Sequence, residues 1–194
     1  MEQGTEEWRL ARLGKVTASR VSDARAKKGT ATRANYIADV LAERLTGTVA
    51  ETFTNSYMEW GTLNEPLARA AYQIQTGRWV EQIALVDHPT IRNFAASPDG
   101  LVGDGLIEIK CPKTSTHISY LTSGDVPTTY KNQMLAQMAC TGRRWVDFVS
   151  FDPRLPERLQ LFVVRFEPPE EDIKSLETDV VNFLNEVDNL LEKL

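Results

Sequence analysis

Ser97-Pro98-Asp99-Gly100-Leu101-Val102-Gly103-Asp104-Gly105-Leu106-Ile107-Glu108-Ile109-Lys110 is the stretch that decides the fold. Gly100 and Gly103-Asp104-Gly105 supply turn chemistry beside β-forming runs. The turn brings Asp99 near Glu108. Side chains alternate along a strand, so Glu108 and Lys110 share one face. Ile107 and Ile109 take the other, expected to be the core face. Two carboxylates and an ammonium are thereby gathered at a strand end.

Carboxylates this close repel each other unless positive charge lies between them. A hard divalent cation supplies it, and oxygen ligands suit magnesium or manganese. The backbone carbonyl of Ile109 can complete the protein's share of the ligands. Lys110 is then placed to orient an attacking water and help deprotonate it. The competing reading is plain: Glu108 and Lys110 form a surface ion pair, and Asp99-Gly100 is an ordinary turn.

Working outward, Thr17-Ala18-Ser19 opens a short helical stretch with Thr17 as N-cap, and residues 26–30 form a basic loop. A helix is expected over residues 32–46, stopped by Gly47. Trp60, Leu63, Leu67, Ala71 and Ile74 continue helical spacing, with Pro66 marking a start or a bend. Strands are expected at residues 80–86, 92–97, 105–110, 145–151 and 159–166, with a helix over 128–141. From Glu170 onward the pattern is an amphipathic helix. The implied architecture is α/β: a single domain over residues 1–194, with a central mixed β-sheet flanked by helices.

At 194 residues, 42% hydrophobic and 25% charged, the composition excludes disorder. Mean hydropathy is −0.32, and no apolar run approaches the roughly 18 residues of a membrane helix. The start Met1-Glu2-Gln3-Gly4 lacks a signal-peptide pattern, so a cytoplasmic protein is expected. The net charge of −5 hides an asymmetry. From Arg9 to Arg33 eight basic residues oppose Asp23 alone, a net of +7. From Glu157 to Leu194 ten acids outnumber four bases, a net of −6. Lys15, Arg20, Arg25, Lys27 and Lys28 are therefore candidate DNA-backbone contacts, against the alternative of a merely solvated surface. His88 and His117 lack ligand spacing, and two cysteines, Cys111 and Cys140, cannot hold an iron–sulfur cluster.

Asp99…Glu108-x-Lys110 resembles the PD-(D/E)-x-K nuclease motif, and its context resembles the phage lambda exonuclease group, the YqaJ-type viral recombinases. The shared blocks are Arg12-Leu13-Gly14-Lys15-Val16-Thr17-Ala18-Ser19, Trp60-Gly61 with Glu65, and Ser97 to Leu101. They continue with Glu108 to Pro112, Tyr130 with Gln133, and Asp152-Pro153-Arg154. The resemblance implies a restriction-endonuclease-like core. It makes Asp99 and Glu108 metal ligands, Lys110 the residue acting on water, and Gln133 a neighbour of that lysine. It makes Glu65 an additional acid for a second metal or a water, and Arg12, Ser19 and Ser97 a pocket for the 5′-phosphate of a DNA end.

The implied activity is a 5′→3′ exonuclease on duplex DNA ends that leaves a 3′ single strand for recombination by annealing. Mg2+ or Mn2+ would be the cofactor, with two ions per site. The implied partners are 5′-phosphorylated duplex DNA, an annealing protein and two further copies in a homotrimeric ring. Two other functions stay open: an endonuclease on the same core, and a DNA-end-binding module that does not cut. Bland roles also remain for single residues, since Thr62 and Glu65 have the spacing of a capping box. Arg12, Ser19, Ser97 and Gln133 can likewise be read as ordinary cap, turn or surface residues.

Overall fold

The computed structural model describes residues 1–49 and 56–194. In chain order the elements begin with α1 (Glu6–Ala11), β1 (Val16–Thr17), a short 3-10 turn (Ala18–Arg20), α2 (Val21–Ala24), α3 (Ala31–Thr46) and α4 (Ser56–Thr76). Then come β2 (Val86–Asp87), β3 (Phe94–Ala96), β4 (Gly100–Val102), β5 (Gly105–Lys110), α5 (Thr114–Ser123) and α6 (Thr128–Thr141). The last are β6 (Val146–Phe151), α7 (Glu157–Gln160), β7 (Leu161–Phe166) and α8 (Glu170–Leu191).

β5 is the spine. It pairs antiparallel with β4 and parallel with β6, and β6 pairs antiparallel with β7. The mixed sheet expected from the sequence is therefore present. Parallel pairing requires a long crossover, which α5 and α6 provide. Both faces of β5 are covered. Leu106 packs in a cluster with Met134, Phe148, Leu176 and Phe183, drawn from α6, β6 and α8. Ile107 and Ile109 pack against Ala68 and Tyr72 of α4. Each such fully buried side chain contributes about 1.5–3 kcal/mol.

The sequence pattern of one sheet needs amendment. A second, three-stranded sheet has the order β1-β3-β2, with β1 parallel to β3. The strand expected over residues 80–86 reduces to a bridge at Glu81 with Leu101, and pairing starts at Val86. β3 is shorter than expected because Asn93 takes a left-handed conformation, φ 63°, just before it. Helices α1, α5 and α7 depart from the sequence expectation, and α7 takes Leu159 and Gln160 from the strand expected over 159–166. α4 runs straight through Pro66, and Thr62 lies inside it, donating to the Met58 carbonyl. The capping-box reading of Thr62 and Glu65 therefore fails.

The charge asymmetry also resolves differently. The acidic C-terminal helix does not face away from the basic segment; it docks onto it. Arg25 Nε meets Asp179 at 2.9 Å, Arg33 Nη2 meets Glu186 at 2.8 Å, and Arg44 Nη1 meets Asp188 at 2.6 Å. Arg33 is almost wholly buried and also donates to the carbonyls of Ala24 and Ala26.

The β4–β5 turn depends on Gly105 for packing. A Cβ there would overlap the ring of Trp145. Overpacking of this kind costs about 1–3 kcal/mol. Gly105→Ala should therefore lower stability by about that amount in urea denaturation; an unchanged midpoint would show that the Trp145 ring moves aside freely.

Candidate active site

The β4–β5 register pairs Gly100 with Ile107. Continued by one residue, it sets Asp99 opposite Glu108, as the turn chemistry predicts. Asp99 Oδ2 accepts a 2.6 Å hydrogen bond from the Ile109 N–H, which fixes the carboxylate on the strand edge. Glu108 is fully buried, which removes the surface ion-pair reading. Lys110 Nζ is in direct contact with Glu108 Oε1. Gln133 Nε2 donates to the same oxygen at 2.7 Å, and Gln137 Nε2 donates to Oε2 at 2.5 Å. Both glutamines come from α6, one helical turn apart.

The electrostatics follow from this crowding. Burial first, and then the field of Glu108, push the Asp99 carboxyl well above the usual carboxylate range. Glu65 adds to the rise, while Lys110 and the Ile109 N–H oppose it. Burial disfavours the Lys110 charge, but Glu108 and Asp99 outweigh it and the pKa rises. Lys110 is therefore an ammonium here, a donor that can orient a water. To accept a proton, it needs the carboxylate charge to be offset.

The donor set is all oxygen: the Asp99 and Glu108 carboxylates with the Ile109 carbonyl between them in sequence. That set fits a hard divalent cation. The raised Asp99 pKa marks a shortage of positive charge at the same place. Glu65 is within electrostatic reach of Asp99, but Arg69 Nη2 holds its Oε1 at 2.5 Å. Among the described residues no group of three or more acidic, histidine or cysteine side chains closes a metal site. The residues in place fit one ion. A second would draw on Glu65, whose Oε1 is held by Arg69.

The small sheet builds a second cluster. In the parallel β1–β3 pair Thr17 lies beside Ala95. Beyond this pair the chain enters the short 3-10 turn that carries Ser19, and beyond β3 it runs on to Ser97. Arg12 Nη2 lies 3.4 Å from Ser19 Oγ, and its guanidinium stacks 4.0 Å from the Trp8 ring centroid. Trp8 Nε1 donates to Ser97 Oγ at 2.9 Å. Arg12 thus meets Ser19 directly and is linked to Ser97 through Trp8. Burial lowers the Arg12 pKa, against the pull of Tyr36 and Glu43. No described carboxylate pairs with Arg12, whereas Arg20, Arg25, Arg33 and Arg44 each have one. A half-buried guanidinium, stacked on a ring and lacking a carboxylate, is suited to phosphate. Ser97-Pro98-Asp99 connects this pocket directly to the carboxylate pair.

Other candidates are otherwise engaged. Lys15 pairs with Asp87 at 2.6 Å, Arg20 with Asp23 and Asp39, and Arg25 with Asp179 and Asn132. Lys27 and Lys28 are exposed. His117 is buried between Ser150 and the Leu159 carbonyl, and His88 meets Glu177 at 3.0 Å. The Asp152-Pro153-Arg154 block has a structural explanation: Arg154 forks onto buried Asp152 and stacks 4.4 Å from the Trp60 ring centroid. Sequence reading missed Trp8 and Gln137. Gln137 carried a signal, as the polar residue four after Gln133 in an otherwise apolar stretch, Met134 to Cys140.

Comparison with known proteins agrees with this geometry. No curated protein matches the sequence. Two crystal structures of LHK-Exo, one described as an alkaline exonuclease from Laribacter hongkongensis and one as its complex with dAMP, superpose with a TM-score of 0.91. They are 53% identical in sequence, covering 97% of this chain and 95% of theirs. A phage-related exonuclease from Haemophilus somnus 129PT shares the fold, with a TM-score of 0.72 at 17% identity over 92% of this chain and 96% of its own. The model of the YqaJ-like viral recombinase domain matches residues 7–144, and the chain belongs to that family.

Proposed function

We propose that the protein is a metal-dependent 5′→3′ exonuclease acting on duplex DNA ends, leaving a 3′ single strand for recombination by annealing in the cytoplasm of a bacterial or phage-infected cell. The observation that carries this reading is an adjacency. Ser97, joined through Trp8 to Arg12 and its neighbour Ser19, stands two positions before Asp99, which lies opposite Glu108 and beside Lys110. An end pocket beside a hydrolytic site favours an exonuclease over an endonuclease. The full acid and lysine set favours cutting over mere end binding. The 53% identical relative described as an exonuclease supports the same class of reaction.

A divalent cation held by Asp99, Glu108 and the Ile109 carbonyl would acidify water and neutralise charge on the phosphate oxygens. It would also offset the carboxylates that raise Lys110, bringing that amine closer to accepting a proton. Lys110 then orients the water and Gln133 holds Glu108 in register with it. Arg12 and the two serines would anchor the terminal 5′-phosphate. Exposed Lys27 and Lys28 remain available to the DNA backbone, while Lys15, Arg20 and Arg25 would reach it only by exchanging their acids.

A homotrimeric ring would gather basic segments from several copies of an acidic chain around one duplex. Leu63, Leu67 and Ile74 lie along one face of α4, and Ile74 and nearby Trp79 are 85% and 78% exposed. Apolar residues exposed together favour an assembly. Light scattering should give three copies, and a monomer with and without DNA would refute the ring.

With Mg2+, 5′-phosphorylated linear duplex should lose its 5′-ended strand while closed circular duplex survives. Lys110→Ala should abolish the loss and keep end binding and folding; retained activity removes Lys110 from the mechanism. Because metal-free Asp99 holds its proton above the usual range, protons compete with the cation. The Mg2+ concentration for half-maximal rate should therefore rise as pH is lowered, and a flat profile would argue against Asp99 as a ligand. Arg12→Ala should narrow the rate difference between 5′-phosphate and 5′-hydroxyl ends, and an unchanged ratio would show that Arg12 does not read the phosphate.

A further inference from the structure

We propose that Gln137 is a positioning residue that fixes Glu108 for the divalent cation; this rests on the metal-dependent reading above. The two oxygens of Glu108 are held in different ways. Oε1 meets Lys110 and Gln133, both half-buried. Oε2 accepts from Gln137, which has no exposed surface at all.

The Gln137 carboxamide is out of place by packing criteria. It sits in the middle of α6 among apolar neighbours, in a stretch buried from Met134 to Cys140. Its Oε1 is buried and finds no partner among the described residues. Burying an unsatisfied acceptor carries a desolvation cost that an apolar side chain would avoid. The N–H donor accounts for the glutamine, and that donor is spent on Glu108.

The consequence is geometric. The terminal torsion of a glutamate is broad and soft. With Oε2 tied from behind by a rigid, buried group, the carboxylate plane is set and Oε1 is presented beside Lys110. Gln133 cannot do this alone, because it bonds the same oxygen that faces the site. Partners behind a ligating carboxylate usually tune metal affinity by about 10–100-fold.

The test is Mn2+ binding to the protein without DNA, measured by calorimetry, together with the Mg2+ dependence of strand loss. Gln137→Met keeps the length and removes the donor. The expected result is Mn2+ affinity weaker by about tenfold or more, with a matching rise in half-saturating Mg2+. The rate at saturating Mg2+ should fall far less, a split that a merely structural role would not produce. Unchanged Mn2+ affinity in the folded variant would overturn the proposal. If that variant fails to fold, Gln137→Asn keeps the polar group but withdraws it by one methylene. Weaker Mn2+ binding by it supports the role, and wild-type binding overturns it. Absence of Mn2+ binding by the unaltered protein would instead overturn the metal reading itself.

Discussion

The burial of Glu108 opposite Asp99 is the constraint on which the rest of the site depends. A carboxylate with no exposed surface needs hydrogen bonds or a counter-charge. Here Lys110, Gln133 and Gln137 all converge on it. The arrangement dictates that β5 be flanked by α6 on one face, and that α6 carry two glutamines one turn apart. It leaves Asp99 electrostatically underpaid, with only the Ile109 N–H and a shared ammonium in its favour.

Charge is managed on a larger scale too. Of the eight basic residues from Arg9 to Arg33, α8 pairs with Arg25 and Arg33, while Lys15 and Arg20 pair with acids elsewhere; α8 also pairs with Arg44 beyond that segment. Arg9, Arg12, Lys27 and Lys28 stay outside the described ion pairs, and of these Arg12 is the one at the serines. Arg12 keeps its guanidinium for the serine pocket and stacks it on Trp8, so the cation has a fixed direction but no fixed anion. Segment totals of +7 and −6 thus describe an internal clamp more than two separate surfaces. The useful quantity is which cation lacks an acid.

Much of the carboxylate site was legible in the sequence because a short hairpin fixes its own register. The turn between Val102 and Gly105 is enough to align Asp99 with Glu108. Helices α3, α6 and α8 were legible from periodicity. The small sheet was not, because its pairing strands are two or three residues long and leave no alternation to read. That sheet runs the segments leading to Ser19 and Ser97 side by side, and the family resemblance named those residues where local pattern could not. The docking of α8 was also hidden, since pairing across more than a hundred residues has no local signature. Glu65 is a different case: the sequence offers a cap or a ligand, and the structure pairs it with Arg69 one turn on.

The parallel pairing of β5 with β6 has a consequence for how the site comes into being. The β4–β5 hairpin is local and can close early, since its strands are neighbours in sequence. Its partner β6 lies beyond α5 and α6, so that contact carries the loop-closure entropy of a long crossover. Contact order thus favours bringing Asp99 and Glu108 face to face before the glutamines of α6 arrive to hold one of them. On this order of events the nascent hairpin has Lys110 as its own counter-charge to the two carboxylates, and docking of α6 adds the two glutamine donors that fix Glu108.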